Sequence, residues 1–288
     1  MTDVLLVAHH DRLEAAALAR SAAGWLAERG HRAWTTAEDG AALGLADLVV
    51  EHAPTSADLA ISIGGDGTML RTVKLLDGAQ VPIIGVNVGL LGYLTEVEPP
   101  ALTSALERWF AGAASGEWQI EERMMLDVRW SQGSGGAAMA QATALNEAVI
   151  EKCEPGHTVR LLVTIDGAAF TSYAADGLIV ATPTGSTAYS LSARGPVISP
   201  RHRALLLTPV SPHMLFDRSL VLDPDELVEI EVLGPRPAVL SIDGQWAGDL
   251  NEADTVTVRP AEHGASFVRF GHRRFHQVLK SKFGLSDR

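Results

Sequence analysis

Short apolar runs alternate with helix-like patterns over residues 1–118. The apolar runs predict buried strands at residues 4–8, 47–50, 59–63 and 82–87. Apolar residues at helical spacing follow Asp11, which can cap a helix that ends near Gly30. The same spacing predicts helices over residues 68–76 and after Pro99 and Pro100. Strands that alternate with helices predict a parallel sheet with helices on both faces, and therefore an α/β domain.

The pattern over residues 119–262 is one of short extended runs separated by turns. Two runs, 160–165 and 168–174, are joined by Asp166-Gly167, which is the strongest short-range signal for a hairpin. Further strands are predicted at residues 205–208, 227–232, 238–242 and 255–258, and an exposed hairpin loop at 131–137. These features predict an antiparallel, all-β domain. In the last segment, 263–288, an amphipathic basic helix is predicted over 272–283.

The composition narrows the class of protein. Apolar residues make up 47% of the chain and charged residues 20%, the mix of a well-packed globular protein. The formal net charge of −12 disfavours a nucleic-acid or anionic-membrane partner, and no apolar run is long enough to span a membrane. A single cysteine, Cys153, excludes an internal disulfide, and the first residues lack a signal-peptide pattern. We therefore expect a cytoplasmic protein.

A glycine loop stands between a predicted strand and a predicted helix. Glycines let the backbone approach a ligand closely, and successive N–H groups at a helix start form an anion site. The loop consists of Gly64, Gly65, Asp66, Gly67 and Thr68. An aspartate inside a phosphate cradle suits a base that takes a proton from an attacking hydroxyl. The plain alternative is that Asp66 is only a helix cap.

Arg71 falls one turn into the predicted helix, on the same face as the loop, so it can reach a phosphate or remain a solvated arginine. The loop is neither a Walker A sequence nor a dinucleotide fingerprint. It resembles the phosphate loop shared by NAD kinases, by diacylglycerol and sphingosine kinases, and by phosphofructokinases. On its own, this resemblance leaves the substrate open.

Three further segments narrow the choice. The first is Asn146-Glu147, whose side chains suit an adenine edge and ribose hydroxyls, or else an exposed strand end. The second, residues 175–192, is a buried strand that leads into a loop of hydroxyl-bearing and small residues, Thr-Pro-Thr-Gly-Ser-Thr-Ala-Tyr. The third, residues 241–245, is by itself a plain hairpin turn.

Together these segments resemble the NAD kinase family over most of the chain. The resemblance also includes residues 87–94, 208–213 and 282–285. The hydroxyl-rich run is the specific signal, because the lipid kinases share the glycine loop but lack this run. The resemblance implies a Rossmann-like α/β domain (1–118), a β-sandwich-like domain (119–262) that holds NAD, and a segment (263–288) that returns to the first domain. It also implies a homodimer or homotetramer.

The resemblance assigns roles to individual residues. Asp66 would activate the ribose 2′-hydroxyl of NAD, and ATP, or polyphosphate, would be the donor with Mg²⁺ or another divalent metal. The donor phosphates would be held by Gly64, Gly65, Gly67, Thr68 and Arg71. NAD would be held by Gly67, Arg71, Asn146, Glu147, His157, Asp176, Thr187, Ala188, Tyr189, Ser192 and Gln245. Arg194 stands where relatives usually carry glycine, so it could clash, stiffen the loop or add a phosphate contact.

Two other functions compete with this interpretation. A lipid kinase would use the same glycine loop, and a non-catalytic sensor of NAD(H) or NADP(H) would bind without turnover. His9, His10, His202 and His263 lack metal-ligand spacing and are expected at the surface, so no dedicated protein metal site is predicted. Cys153 has no catalytic partner and is expected to be inert.

Overall fold

The computed structural model describes residues 1–90, 92–132, 138–271 and 275–285. The chain divides into two compact units, one formed by Met1–Glu122 with Ala265–Arg288 and the other by Arg123–Gly264. Each unit has its own hydrophobic core. Within the described residues, no helix combines the length and the apolar character that a membrane crossing requires.

The first unit is built on a six-stranded sheet with the order β2-β1-β3-β4-β18-β5. Its strands are β1 (Asp3–Ala8), β2 (Arg32–Trp34), β3 (Leu59–Gly64), β4 (Ile83–Asn87), β5 (Gln119–Arg123) and β18 (Ala265–Arg269). Its helices are α1 (Leu13–Glu28), α2 (Ala37–Leu43), α3 (Asp66–Leu76), α4 (Leu102–Phe110) and α6 (Phe275–Lys282). The pairs that join β2, β1, β3, β4 and β18 are all parallel.

The central strands of this sheet are buried along their whole length because helices cover them. Every residue of β3 and β4 is buried, as the continuous apolar runs predict for a parallel sheet. Helix α1 presents a row of buried alanines, which allows close approach of the helix to the sheet, and Gly30 follows it with a φ of 76°.

The strand order creates a crevice at one edge of the sheet. From β1 the chain turns towards β2, but from β3 it turns towards β4 on the other side, so the two connections diverge between β1 and β3. In open parallel sheets, ligands bind at the carboxyl ends of the strands where this divergence occurs. The residues that follow β1 and the glycine loop that follows β3 meet there.

The second unit is a β-sandwich of two six-stranded sheets with the orders β10-β9-β14-β17-β6-β7 and β13-β12-β11-β8-β15-β16. Apolar side chains of both sheets form one core between them. The first sheet contains β6 (Leu126–Gln132), β7 (Ala138–Ala144), β9 (Val159–Ile165), β10 (Ala168–Ala175), β14 (Val228–Val232) and β17 (Thr255–Pro260). The second contains β8 (Glu147–Lys152), β11 (Gly177–Ala181), β12 (Leu205–Val210), β13 (Leu220–Leu222), β15 (Ala238–Ile242) and β16 (Gln245–Leu250).

The α/β and β-sandwich classes and most predicted elements are present, including the hairpin at Asp166-Gly167. The strand predicted at 47–50 was wrong, because the chain turns at Ala46–Leu48 and leaves only one residue paired next to the edge strand β2. That run instead forms a 3₁₀ turn and a single bridge between Val49 and Thr35. The short strand β2 and helix α2 were missed.

Asp11 does not cap α1: the cap position is Arg12, whose side chain makes no capping hydrogen bond. Part of two further predictions lies outside the described residues, namely 133–137 of the predicted hairpin loop and 272–274 of the predicted closing helix. The described part of the closing helix is α6 (Phe275–Lys282).

Candidate active site

In the glycine loop, Gly65 alone separates the end of β3 from the start of α3. Gly65 is the extended cap residue, and its carbonyl oxygen accepts the N–H groups of Thr68 and Met69 at 3.1 Å each. Asp66 is therefore the first residue of the helix rather than its cap, which removes the plain alternative raised by the sequence. The unpaired N–H groups of a first helical turn form an anion site at this position.

The Asp66 carboxylate is held by backbone on the far side of the loop. Its Oδ2 accepts the N–H of Tyr93 and its Oδ1 accepts the N–H of Leu94, both at 2.9 Å. A Cβ at Gly92 would lie 2.3 Å from Asp66 Oδ1, so only glycine allows this contact. Burial, and then the charge of Asp66, raises the pKa of Tyr93. The Asp66 side chain remains 33% exposed, so it is oriented yet accessible.

A cavity of about 410 Å³ opens at the carboxyl ends of β1 and β3. Backbone and side chains of both connections line it, namely His9, His10, Asp11, Arg12, Gly65, Gly67, Thr68 and Arg71. Both neighbours of Asp66 are part of this wall. A cavity of this size and composition suits a polyphosphate chain, because it combines cationic side chains with the start of a helix.

Arg71 and His10 are held at the cavity by one buried carboxylate. Asp39 is fully buried, and its carboxylate accepts hydrogen bonds from both terminal nitrogens of Arg71. Asp39 Oδ1 also lies 2.8 Å from His10 Nε2. Arg71 also donates to the carbonyl oxygen of Ala8 at 2.6 Å, and the N–H of Ala8 donates to Asp39 at 3.1 Å. Arg71 is thus not a solvated arginine. His10, which was expected at the surface, has a side chain that is 30% exposed and lines the cavity.

In the second unit, Asp243 organises the Asn-Glu segment. Its carboxylate accepts the N–H groups of Leu145, Asn146 and Glu147 at 2.8, 2.7 and 3.0 Å. Asp243 has a φ of 47° and stands with Gly244 in the turn between β15 and β16. The prediction of a plain hairpin turn at this position missed the carboxylate. The signal was present, because an aspartate that starts an Asp-Gly turn can accept backbone N–H groups.

Glu147 is a buried acid whose pKa is raised. It is 6% exposed, and its Oε2 has no hydrogen-bond partner within the described part of the chain. Burial, and then the charge of Asp243, raises the pKa of Glu147 to about 8. At neutral pH this group is mostly a carboxylic acid, so it can donate one hydrogen bond as well as accept. The sequence alone suggests a carboxylate here, which would only accept hydrogen bonds.

The hydroxyl loop, residues 182–192, forms a 3₁₀ turn (Gly185–Thr187) and the short helix α5 (Tyr189–Ser192). Thr182 and Ser186 use their hydroxyls inside the loop, on the carbonyl oxygens of Leu145 at 2.6 Å and Pro183 at 2.7 Å. A Cβ at Gly185 would lie 2.2 Å from the carbonyl oxygen of Asn146, so the loop packs directly on the Asn-Glu segment.

The remaining candidates of the second unit differ in accessibility. Tyr189 donates to Glu151 at 2.8 Å, and burial, then this hydrogen bond, raises the pKa of Tyr189 to about 12. Asp176 lies 2.5 Å from Lys152 Nζ, and that hydrogen bond lowers the pKa of Asp176. Thr187 and Ala188 are half-buried, whereas Ser192, Gln245 and His157 are exposed.

Arg194 has a φ of 66°, and its side chain is exposed. That backbone region favours glycine, which gives a physical reason for the glycine that relatives usually carry there. Thus the structure brings Gly64, Gly65, Asp66, Gly67, Thr68 and Arg71 together in the first unit. In the second unit it brings Asn146 and Glu147 against the hydroxyl loop. It provides no contact that ties His157 to either group within the described residues.

The chain matches known families along its length. Residues 44–114 match the ATP-NAD kinase N-terminal domain, and residues 145–270 match the ATP-NAD kinase C-terminal domain. An NAD kinase from Heliobacterium modesticaldum is 40% identical over 290 residues, covering 98% of this chain and 98% of its own. An NAD kinase from Desulforamulus reducens is 37% identical over 285 residues, covering 98% of this chain and 97% of its own.

Two solved structures share the fold. Yeast NADH kinase complexed with NADH superimposes with a TM-score of 0.86 at 22% identity, covering 100% of this chain and 89% of its own. An NAD kinase from Archaeoglobus fulgidus in complex with ATP gives a TM-score of 0.72 at 22% identity, covering 99% of each chain. The predicted combination of an α/β domain with a sheet-rich domain is confirmed.

Proposed function

The chain belongs to the NAD kinase family, and we propose that it transfers the γ-phosphoryl group of ATP to the 2′-hydroxyl of the adenosine ribose of NAD, with Asp66 as the base. The observation that carries the assignment of the base is the position of Asp66. Its carboxylate is oriented by two backbone N–H groups, yet one third exposed, and its neighbours Gly65 and Gly67 line the cavity. The lipid-kinase and sensor alternatives are not favoured, because the similarity to NAD kinases extends over nearly the whole chain.

The donor phosphates are assigned to the cavity at the glycine loop. The N–H groups at the start of α3 and the guanidinium of Arg71 supply positive potential there. Because Asp39 fixes Arg71 from behind, the cation is already in place before the donor arrives. Catalysis then needs little reorganisation, since phosphoryl transfer is promoted mainly by positioning and by charge neutralisation. The Archaeoglobus relative was solved with ATP, which supports ATP as the donor.

A divalent metal fits the chemistry of this cavity. Mg²⁺ prefers oxygen ligands and is usually held by one or two carboxylates together with the substrate's phosphates. Asp11 and Thr68 both line the cavity, and Asp11 has the carboxylate that would hold the ion. When bound, the ion would neutralise charge on the donor phosphates. Among the described residues, no group of three or more His, Cys, Asp or Glu side chains could hold a metal ion by itself, so the phosphates would supply the other ligands.

The adenosine of NAD is assigned to the second unit. The Asn146 side chain suits an adenine edge, and Glu147, as a mostly neutral acid, can donate to or accept from a ribose hydroxyl. Thr187, Ala188, Tyr189 and Ser192 of the hydroxyl loop, with Gln245 and Asp176, complete the proposed contacts. His157 is proposed only as a contact for a phosphate of NAD, because it is exposed and has no partner within the described residues.

The acceptor atom can be tested with a matched pair of substrates. The purified protein is supplied with ATP, Mg²⁺ and either NAD or the NAD analogue that lacks the 2′-hydroxyl on its adenosine ribose. NADP is expected from NAD, and no phosphorylated product from the analogue, although both bind by calorimetry. Phosphorylation of the analogue would contradict the assigned acceptor, and phosphorylation of diacylglycerol in place of NAD would support a lipid kinase.

The donor, the assembly and the location need separate tests. Replacing ATP by polyphosphate in the same assay determines whether the cavity accepts both donors. A homodimer or homotetramer is proposed from the family resemblance, and light scattering after gel filtration measures it. The cytoplasmic location also stays a prediction, which fractionation of cells would test.

A further inference from the structure

We infer that Lys282, at the end of α6, is a further catalytic residue that stabilises the phosphoryl group during its transfer. This inference rests on the proposed function, because it takes Asp66 as the base. The Lys282 ammonium lies 4.0 Å from Asp66 Oδ2 and 4.0 Å from the centre of the Tyr93 ring. Its side chain is only 25% exposed. Lys282 therefore brings a positive charge next to the proposed base from a segment distant in sequence.

The end of α6 is built to fix this side chain. Val278, four residues before Lys282 and on the same helix face, is buried at 7% exposure and anchors that face. The helix then stops at once. The N–H of Leu285 donates to the carbonyl oxygen of Lys280 at 3.0 Å, that of Gly284 donates to Ser281 at 3.4 Å, and Gly284 has a φ of 60°.

This pair of hydrogen bonds is a Schellman cap with glycine at the left-handed position. It explains the sequence that follows Lys282, namely Phe-Gly-Leu, which the family resemblance includes but does not explain. The cap limits fraying of the last turn, and a cation in that turn is also favoured by the helix dipole. The position of Lys282 is thus set by the helix and not only by its contact with Asp66.

The contact between Lys282 and Asp66 is not an ordinary stabilising ion pair. At 4.0 Å it is too long for a hydrogen bond, and each Asp66 oxygen already accepts a backbone N–H. A pair this accessible contributes little to stability. The Tyr93 ring instead holds the ammonium by its face, an interaction that leaves the N–H donors of a lysine able to meet other oxygens.

The reaction gives this charge a purpose. A lone pair of the 2′-oxygen forms the new bond to the γ-phosphorus, the bond to the β,γ-bridging oxygen breaks, and its electrons leave with ADP. The proton of the 2′-hydroxyl passes to Asp66, which becomes neutral. Lys282 keeps its own proton throughout, and its charge is then no longer offset by Asp66. Its attraction for the phosphoryl oxygens therefore grows as the transition state is approached, which is the condition for catalysis.

The test compares Lys282→Met with Lys280→Met. Methionine keeps the length of the side chain and removes the charge. Lys280 lies two residues earlier in α6 and so points in another direction, which makes it the matched control. Loss of one charged stabiliser is expected to lower kcat about 100-fold, with the KM values for ATP and NAD changed by less than about threefold. Lys280→Met is expected to keep wild-type turnover, and Lys282→Met to keep the wild-type melting temperature.

A second variant separates charge from structure. Lys282→Ala is expected to regain part of its turnover when methylammonium is added, a response that a purely structural role would not give, and Lys282→Arg is expected to stay partly active. Unchanged or increased kcat in Lys282→Met would overturn the inference, because the contact would then be inert or inhibitory. If the wild-type protein itself forms no NADP, the proposed function fails and this inference fails with it. If the wild type forms NADP and the Lys282 variants are equally active, the proposed function stands and only the assignment of Lys282 is wrong.

Discussion

Two regions of the molecule bring candidate residues together, and they are built from different chemistry. In the first unit, charged groups meet around the glycine loop: Asp39 holds Arg71 and His10, and Asp66 is oriented by backbone N–H groups. In the second unit, the hydroxyl loop packs on the Asn-Glu segment through backbone and hydroxyl groups, Asp243 accepts backbone N–H groups of that segment, and the pKa of the buried acid Glu147 is raised to about 8.

The difference matches the two tasks of a kinase. Moving a phosphoryl group requires fixed charges, whose positions must not change while the charge of the substrate redistributes. Recognising a nucleoside requires hydrogen bonds and close packing, for which neutral groups avoid the cost of burying charge. Substitutions in the first region should therefore change turnover or donor binding. Substitutions in the second should change NAD binding, stability and the dependence of stability on pH, with little effect on turnover.

The largest expected effect on stability in the first region comes from Asp39→Asn. It leaves Arg71 and His10 without their buried counter-charge, so the free energy of unfolding is expected to fall by about 3 kcal/mol in denaturant titrations. The KM for ATP is expected to rise about tenfold, with the KM for NAD unchanged, because Arg71 is no longer fixed. The control is Asp47→Asn, which removes an exposed pair with Arg20 and should cost less than about 1 kcal/mol. Equal costs for the two variants would contradict a special role for Asp39.

Gly92→Ala tests the orientation of Asp66. The added Cβ would lie 2.3 Å from Asp66 Oδ1, so the carboxylate must move. A displacement of this order is expected to lower kcat about 100-fold, with both KM values nearly unchanged. Gly24→Ala is the control, because a Cβ there meets nothing within 4 Å and the residue lies inside α1. A Gly92→Ala enzyme with wild-type kcat would show that the backbone clamp is not needed.

Glu147→Gln tests the neutral character of the second region through pH. Since the folded-state pKa of Glu147 is raised from 4.5 to about 8, the folded protein binds the proton more tightly than the unfolded chain. This contribution to stability is complete below the unfolded pKa and is lost as pH rises through about 8. Each pKa unit corresponds to at most about 1.4 kcal/mol.

The melting temperature of the wild type is therefore expected to decline between pH 5 and 8 more steeply than that of Glu147→Gln, which has no proton to lose. The exposed residue Glu154 supplies the control variant, Glu154→Gln, which should keep the wild-type slope. Identical slopes for Glu147→Gln and the wild type would mean that Glu147 is ionised in the folded protein. In this comparison kcat should stay within a few-fold of wild type.

The smallest effect is expected from Arg194→Gly. Glycine adopts a φ of 66° without strain, so the variant is expected to be more stable by about 0.5–1 kcal/mol and to retain turnover. The control is Arg201→Gly. Arg201 is also exposed but does not have a positive φ, so this substitution should not be stabilising. A loss of NAD affinity in Arg194→Gly alone would instead show that Arg194 contacts the substrate.

Local chemistry was predictable from the sequence, and long-range pairing was not. The glycine loop and the hairpin at Asp166-Gly167 each consist of a few consecutive residues. The types of these residues are enough to indicate the backbone conformation that they adopt. Asp39 is 32 residues from Arg71, and Asp243 is 98 residues from Leu145. These partners meet only because β1, β2 and β3 in one unit, and β8 and β15 in the other, pair side by side.

The strand wrongly predicted at 47–50 illustrates the same limit. Its composition suits a strand, but a 3₁₀ turn takes up residues 46–48, and only Val49 forms a bridge, to Thr35 next to the edge strand β2. Whether an apolar run becomes a strand of a sheet depends on how the other strands of that sheet pair. Lys282 is a further case, because its proximity to Asp66 depends on the packing of α6 and not on any local pattern.

The most direct test of the account is single-turnover formation of NADP by Asp66→Asn, with Asp77→Asn at the other end of α3 as the control. Asparagine keeps the shape of Asp66 but cannot accept the hydroxyl proton. The account predicts that the rate falls about 1,000-fold or more in Asp66→Asn, while NAD and ATP bind by calorimetry as they do to wild type and Asp77→Asn turns over normally. A rate in Asp66→Asn within about tenfold of wild type would contradict the assignment of Asp66 as the base.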